Sequence, residues 1–208
     1  MTVSGPMPQW LFTIFAIWLV WGGAWLAAAL WANRTTGTAG ATAQAPYRII
    51  NLIGWIALFF DGVYRRHNSV SNWHYFTPPL WRLPDWAGWL MVALALAGFL
   101  LAIWARLTLG KLWSAAVTRK EGHHLVNTGP YAITRHPIYT ALLTGAVALA
   151  FAKGTPISLA GALILMIGYH LKARVEEAFL SRELGAGDYA AYRRKVAMIV
   201  PFWPRPKP

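Results

Sequence analysis

Two clusters of polar residues interrupt an otherwise apolar chain. Residues 123–139 read HHLVNTGPYAITRHPIY, and the pair Glu176-Glu177 follows two short apolar segments. Arg135 and His136 set a guanidinium and an imidazole directly before Pro137, a residue suited to the first turn of a helix. Backbone N–H groups at such a helix start favour an anion, a carboxylate for example. Gly129-Pro130-Tyr131 has the composition of a turn, and glycine lets backbone approach a ligand closely. Lys172 and Glu176 are four residues apart and share one helical face. His170, Arg174 and Glu177 form an adjacent face. Histidines and carboxylates together raise the question of a metal. No HExxH and no close ligand spacing is present, so no metal is expected.

The elements that position these groups must be membrane helices. The 208 residues are 57% hydrophobic and only 12% charged, about half the charged share of a soluble domain. Net charge is +12. Thirteen of the 19 Lys and Arg fall in residues 106–137 and 172–208, which places both segments in the cytosol by the positive-inside rule. No nucleic-acid-binding module is visible, so no nucleic-acid partner is expected. The chain has no Cys, which excludes disulfides and thiolate chemistry.

Residues 10–31 form an uncharged apolar stretch long enough to span. No Lys or Arg precedes it, so it reads as a retained span and not a signal peptide. Residues 33–46 read as a loop. Residues 47–64 form a second, weaker apolar segment containing Arg48, Asn51 and Asp61. Residues 65–84 are polar and aromatic, and residues 86–105 are a clear third span flanked by Trp86 and Trp89. Residues 107–136 read as a long amphiphilic loop. Residues 137–151 and 157–171 form a helical hairpin whose arms, at about 22 Å each, need their flanks to cross a core of about 30 Å. An antiparallel hairpin brings its two flanks, His136 on one side and 172–177 on the other, to the same membrane surface. A helix then continues over 172–183, and a short one follows at 188–195. The predicted fold is all-α and integral to the membrane. It has about five transmembrane helices, a short C-terminal helical hairpin and a cytosolic cofactor-binding region. Five spans put the N-terminus outside and the C-terminus in the cytosol, with Arg65, Arg66 and Arg82 outside against the charge rule.

The ordered set resembles the isoprenylcysteine carboxyl methyltransferase-like family, whose relatives include membrane phospholipid methyltransferases. His123, Leu125, Val126, Gly129, Tyr131, Arg135, His136, Pro137 and Tyr139 match its first block. Glu176, Glu177 and Leu180 match the second. Gly185, Tyr189 (with one extra residue before it), Tyr192, Val196 and Pro201 match the third. The resemblance covers about residues 106–204. It divides the chain into N-terminal transmembrane helices, 1–105, and a methyltransferase core, 106–208, within one structural domain.

The resemblance implies S-adenosyl-L-methionine as methyl donor and a lipophilic acceptor, a lipidated or small hydrophobic molecule reached through the membrane lipid. Carboxyl methylation stands first. Methylation of a phospholipid or other lipid at N or O is the alternative. An NADPH-dependent membrane reductase and a non-enzymatic membrane protein are the rivals of another class. The implied cofactor site is His123, His124, Leu125, Val126, Gly129, Tyr131, His136, Pro137, Ile138, Tyr139 and Glu176. The implied catalytic groups are Arg135, Glu177, Lys172 and Arg174, with Glu177 or a His as base where the acceptor is an amine or hydroxyl. The sulfonium is expected near Tyr131 or Tyr139. Two departures from the family pattern matter. Thr140-Ala141 stand where the family has Gly, a change expected to tighten helix packing or narrow the lipid entrance. Lys172 replaces an Arg, and lysine lacks the bidentate fork that suits carboxylates. The stretch Trp73-His74-Tyr75-Phe76 is read first as an interfacial anchor and second as an acceptor-tunnel lining.

Overall fold

A computed structural model describes residues 7–60, 64–65, 73–74, 77–122, 124–183 and 186–201. Among these described residues, three helices are long and apolar enough to cross a membrane: α1 (Gln9–Ala29), α3 (Asp85–Leu109, with a short 3-10 extension to Leu112) and α5 (Pro156–Glu183). Between them lie α2 (Ala41–Phe59) and α4 (Pro137–Lys153), and α6 (Ala186–Lys195) follows. The protein is therefore helical and membrane-integral. The span count of five remains an expectation, because α2 is less apolar and α4 has only 17 residues.

The apolar surface of these helices is split between packing and lipid. Leu19 and Leu26 on α1, Leu52 and Ile53 on α2, Leu100 on α3 and Leu163 and Ile167 on α5 point outward. Helix against helix, small residues let backbones close in, as they do where lipid is the solvent. α2 packs on α5, and α3 on α4. A Cβ at Gly161 of α5 would lie 2.6 Å from the Leu58 backbone nitrogen of α2. One at Gly98 of α3 would lie 2.8 Å from the Ala141 carbonyl of α4. Gly161→Val is thus expected to force α2 off α5 and cost about 1–3 kcal/mol by overpacking, read as a lower melting temperature in detergent. An unchanged melting temperature would refute this packing.

Helix ends are closed by side chains from other helices. Arg106, 4% exposed, donates from Nη2 to the carbonyls of Ala28 (2.6 Å) and Trp31 (2.8 Å) and from Nη1 to that of Gly110. Its guanidinium lies between the rings of Trp31 and Trp113. Lys153, at the α4 terminus, donates to Leu58 O (2.7 Å) at the end of α2. Unsatisfied carbonyls away from water cost several kcal/mol, and these two buried cations satisfy them at the ends of α1, α2 and α3. The α4–α5 turn uses Gly154 in the left-handed region (φ 65°) as the cap of α4, with Pro156 opening α5.

Two short antiparallel ribbons depart from the loop expectations. β1 (Thr35–Thr38), inside the expected 33–46 loop, pairs with β4 (Thr118–Lys120). α2 then begins at Ala41, six residues before the expected segment. β2 (Tyr64–Arg65) pairs with β3 (Trp73–His74). Of the aromatic stretch at 73–76, Tyr75 and Phe76 lie outside the described residues. The 107–136 loop is also more ordered than expected: α3 runs to Leu109, and a 3-10 turn covers Gly129–Ala132. The hairpin arms are longer than expected, and α5 carries the 172–183 extension without a break.

Candidate functional site

The hairpin brings the start of α4 beside the last third of α5, and the C-terminal segment clamps both. Arg135 N donates to Ala197 O (2.8 Å) and His136 N to Met198 O (3.0 Å). Those two amides are therefore committed to protein carbonyls, and neither is free for an anion. Thr140 Oγ1 donates to Ile199 O (2.5 Å). Thr140, one of the two residues standing where the family has Gly, thus ties the C-terminal segment onto α4.

The Arg135 side chain completes the clamp. Its Nε donates to Glu177 Oε1 at 2.6 Å, and its Nη1 donates to the carbonyls of Arg193 (3.1 Å) and Val196. Both side chains of this ion pair are 4% exposed. Arg193 Nε sits 3.2 Å from the other Glu177 oxygen, and His136 Nε2 lies 3.3 Å from Oε1. One buried carboxylate therefore joins α4, α5 and α6.

Glu176 looks the other way. Tyr139 donates its hydroxyl to Glu176 Oε2 at 2.5 Å, and His136 Nδ1 stands 3.6 Å from the same oxygen. The His136 and Tyr139 rings stack in parallel, 5.1 Å apart. One helical turn earlier, Lys172 Nζ donates to Ala115 O (2.8 Å) and lies 5.0 Å from the Tyr139 ring centre, with the Tyr47 and Tyr169 rings at 5.8 and 6.0 Å.

Glu176, Lys172, His136 and Tyr139 line a cavity of about 420 Å³, within the range of about 300–1,000 Å³ typical of small-molecule and cofactor sites. His124, Leu125, Val126, Tyr131, His136, Pro137, Ile138, Tyr139 and Glu176 all contribute to its wall, as do Arg135 and Lys172. Gly129, Arg174 and Glu177 do not. Gly129 instead makes the turn, with φ 56°. Arg174 is exposed, and Glu177 faces Arg135. His123 lies outside the described residues.

The far half of the cavity was not read from the sequence. Trp21 and Trp25 of α1, Trp55 of α2, Leu142 of α4 and Tyr169 of α5 give it apolar walls. Tryptophans in a membrane helix read as interfacial anchors, and only the packing of α1 and α2 turns these inward. The segment Ser114–Thr118 forms another wall, fixed by a buried amide. Gln44 Oε1 accepts from Tyr47 OH (2.7 Å), Arg48 Nη2 (2.9 Å) and Val117 N (3.1 Å), while its Nε2 donates to Thr38 Oγ1 (3.0 Å).

Three buried tyrosines brace the motif residues. Tyr192 donates its hydroxyl to Tyr131 O at 2.6 Å. Burial raises the hydroxyls of Tyr131, Tyr189 and Tyr192 well above the usual tyrosine range, and the nearby Glu176 and Glu177 carboxylates add to the effect. A raised folded-state value contributes stability that is complete below the unfolded value near 10 and is lost as pH climbs toward the folded value. Thermal stability is therefore expected to fall above about pH 10, and Tyr192→Phe to shrink that alkaline loss. An equal alkaline loss in Tyr192→Phe would show that Tyr192 does not carry it.

A sequence profile of the Isoprenylcysteine carboxyl methyltransferase (ICMT) family matches residues 89–181, which take in most of α3, the loop and most of the hairpin. The chain is 30% identical over 118 residues to the cobalt-zinc-cadmium resistance protein CzcN of Cupriavidus metallidurans, covering 56% of this chain and 51% of that protein. It is 29% identical over 159 residues to the protein-S-isoprenylcysteine O-methyltransferase B of Arabidopsis thaliana, covering 74% and 71%. The chain spans about half the length of the two metal-resistance relatives it matches. A solved structure of the eukaryotic intramembrane Ras methyltransferase ICMT shares the fold, with a TM-score of 0.53 at 20% identity over 76% of this chain and 53% of that one. By profile, relatives and fold the chain resembles the isoprenylcysteine carboxyl methyltransferase family of membrane proteins.

Proposed function

We propose that this protein is a membrane methyltransferase that uses S-adenosyl-L-methionine to methylate the carboxylate of a lipophilic acceptor. One observation carries the reading: a single cavity joins a carboxylate, an ammonium and a stacked His–Tyr pair at one end to tryptophans at the other. A ligand with an ammonium, a carboxylate and a sulfonium fits that donor set. Glu176 attracts its cationic groups, and the faces of Tyr139 and Tyr131 suit a sulfonium. His123, His124, Leu125, Val126, Gly129, Tyr131, His136, Pro137, Ile138, Tyr139 and Glu176 would hold the cofactor, with Gly129 acting through the turn it shapes. When bound, the cofactor would supply an electrophilic methyl group, which a carboxylate oxygen takes with no proton to remove.

The chain's own residues then have three tasks. Lys172 draws the acceptor carboxylate to the junction between polar and apolar halves. Trp21, Trp25 and Trp55 hold the acceptor's apolar part and exclude water. Arg135 and Glu177 act as positioning residues, because their pair sets where His136 and Glu176 stand. Arg174, exposed and outside the cavity wall, has no part in the transfer itself. We read residues 1–105 as the helices that supply the apolar wall and 106–208 as the core, in one domain, with the site and the C-terminus on the cytosolic side. The acceptor would be a lipidated or small hydrophobic acid entering from the membrane.

Transfer of labelled methyl to an N-acetylated S-prenylcysteine, set against a phosphatidylethanolamine, tests the acceptor class. Base-labile ester label on the first alone supports the reading. Base-stable label on the second alone would replace it with N-methylation of a lipid amine.

A further inference from the structure

The helices themselves measure how deep the apolar half of the cavity runs. On α4, Leu142 follows Tyr139 by one turn. On α5, Tyr169 precedes Lys172 by one turn, and on α1 Trp21 precedes Trp25 by one turn. All six residues line the cavity. With a rise of about 1.5 Å per residue, the two members of each pair stand about 4.5–6 Å apart along their helix. Three independent helices therefore agree. The apolar half extends about one helical turn beyond the level of Tyr139 and Lys172.

A belt of rings crosses the bundle at that depth. Trp21 meets Trp18 edge to face, 5.0 Å between centres. Trp18 meets Trp55 of α2 in the same way at 5.3 Å. Trp55 meets Tyr169 of α5 at 6.4 Å, and Tyr169 meets Tyr139 of α4 at 5.1 Å. Trp18 also abuts α4 directly: a Cβ on Gly145 would lie 2.9 Å from its Cζ2. The belt thus passes through α1, α2, α5 and α4, and in a packed interior one ring cannot swing aside without displacing the next. Behind it lies a crevice of about 20 Å³ whose walls include Ala95, Gly98, Ala141 and Gly145. Trp21 and Leu142 line both spaces and are the partition between them. A tail long enough to reach the partition must then displace rings or fold back toward the polar end.

We propose that the cavity gauges the length of its acceptor, with Trp21 and Leu142 as the specificity-determining stop that ends the apolar tail about one helical turn past Lys172. Of the two kinds of acceptor, lipidated and small hydrophobic acid, this selects the second: a carboxylate on a short hydrophobic tail, the size of a single isoprene unit. The inference rests on the methyltransferase reading for the carboxylate end, while the length limit belongs to the cavity alone.

The test is calorimetric titration of the full-length protein in detergent with three N-acetylcysteines, S-dimethylallyl, S-geranyl and S-farnesyl, which share one head and add one isoprene unit at each step. Where room exists, each added apolar carbon raises affinity. Wild type is expected to reverse that order, with the geranyl and farnesyl compounds at least about tenfold weaker than the dimethylallyl one, roughly 1.4 kcal/mol. In Trp21→Ala, and separately in Leu142→Ala on another helix, the geranyl compound is expected to match or surpass the dimethylallyl one, because the partition to the crevice is opened. Leu26→Ala, on the outward face of α1, should keep the wild-type order. Melting curves identify the variants that are folded, and either partition variant suffices. Affinity that rises with length in wild type overturns the proposal by showing that the tail leaves the cavity for lipid. So does the wild-type order in a folded partition variant, a changed order in Leu26→Ala, or binding of none of the three. S-adenosylhomocysteine titrated into the same wild-type sample separates the two readings: its binding without length selection leaves the methyltransferase standing, and length selection without its binding leaves the gauge.

Discussion

Arg135→Ala is expected to be the most damaging single substitution in the chain, lowering stability by about 3 kcal/mol or more. The mechanism is the buried charge left behind. Glu177, 3% exposed, would lose the guanidinium at 2.6 Å and keep only His136 and the half-exposed Arg193. Removing one partner of a buried pair costs about 3–5 kcal/mol, and Arg193 offsets part of it through a screened contact. The same substitution deletes the bonds from Arg135 to the carbonyls of Arg193 and Val196 that hold the C-terminal segment. Against a total of about 5–15 kcal/mol for folded proteins, such a loss is readable as a clear fall in detergent melting temperature. The double variant Arg135→Met/Glu177→Leu should recover much of that stability, because it removes both charges together. A single variant as stable as wild type would remove Arg135 from the positioning role.

Lys172→Met is expected to separate acceptor from cofactor. Its ammonium, in the cavity wall, stands over the rings of Tyr47, Tyr139 and Tyr169 and donates to the Ala115 carbonyl. Methionine keeps most of the stem volume and deletes the charge. A hydrogen bond to a charged partner contributes about 1.5–3 kcal/mol, so methyl transfer to a carboxylate acceptor should drop roughly 10- to 100-fold in kcat/KM. Affinity for S-adenosylhomocysteine should hold within about twofold. Equal losses in both would make Lys172 a cofactor residue, and no loss in either would leave it a packing residue. Lys172→Arg is the informative companion, because it restores the fork the family carries at this position.

The chemistry-bearing half of the site was legible in the sequence because its residues are close in the chain. Arg135, His136 and Tyr139 occupy one helix start, while Lys172 and Glu176 occupy one helical face. An antiparallel hairpin was then enough to bring the two together. The division between Glu176 and Glu177 was not legible. Adjacent residues on a helix diverge by about 100°, and only the fold shows that one lines the cavity while the other is locked against Arg135. The anion nest expected at the α4 start was likewise reversed by distant chain: Ala197 and Met198 occupy the amides of Arg135 and His136.

The apolar half stayed hidden for a different reason. Trp21 and Trp55 come from helices far apart in sequence, and nothing in either helix says which tryptophans face inward. β1 and β4 are short and pair across some 80 residues, below any local signal. Gln44, a polar residue expected in a loop, turned out to be a buried anchor for the cavity wall.

The central claim is that the cavity holds an S-adenosyl cofactor with its cationic groups against Glu176. Calorimetric titration of S-adenosylhomocysteine into the detergent-purified protein tests it most directly, wild type beside Glu176→Gln. Micromolar binding that weakens at least about tenfold in the variant, roughly 1.4 kcal/mol, is the expected result. No heat of binding to well-folded wild type, or equal affinity in Glu176→Gln, would contradict it.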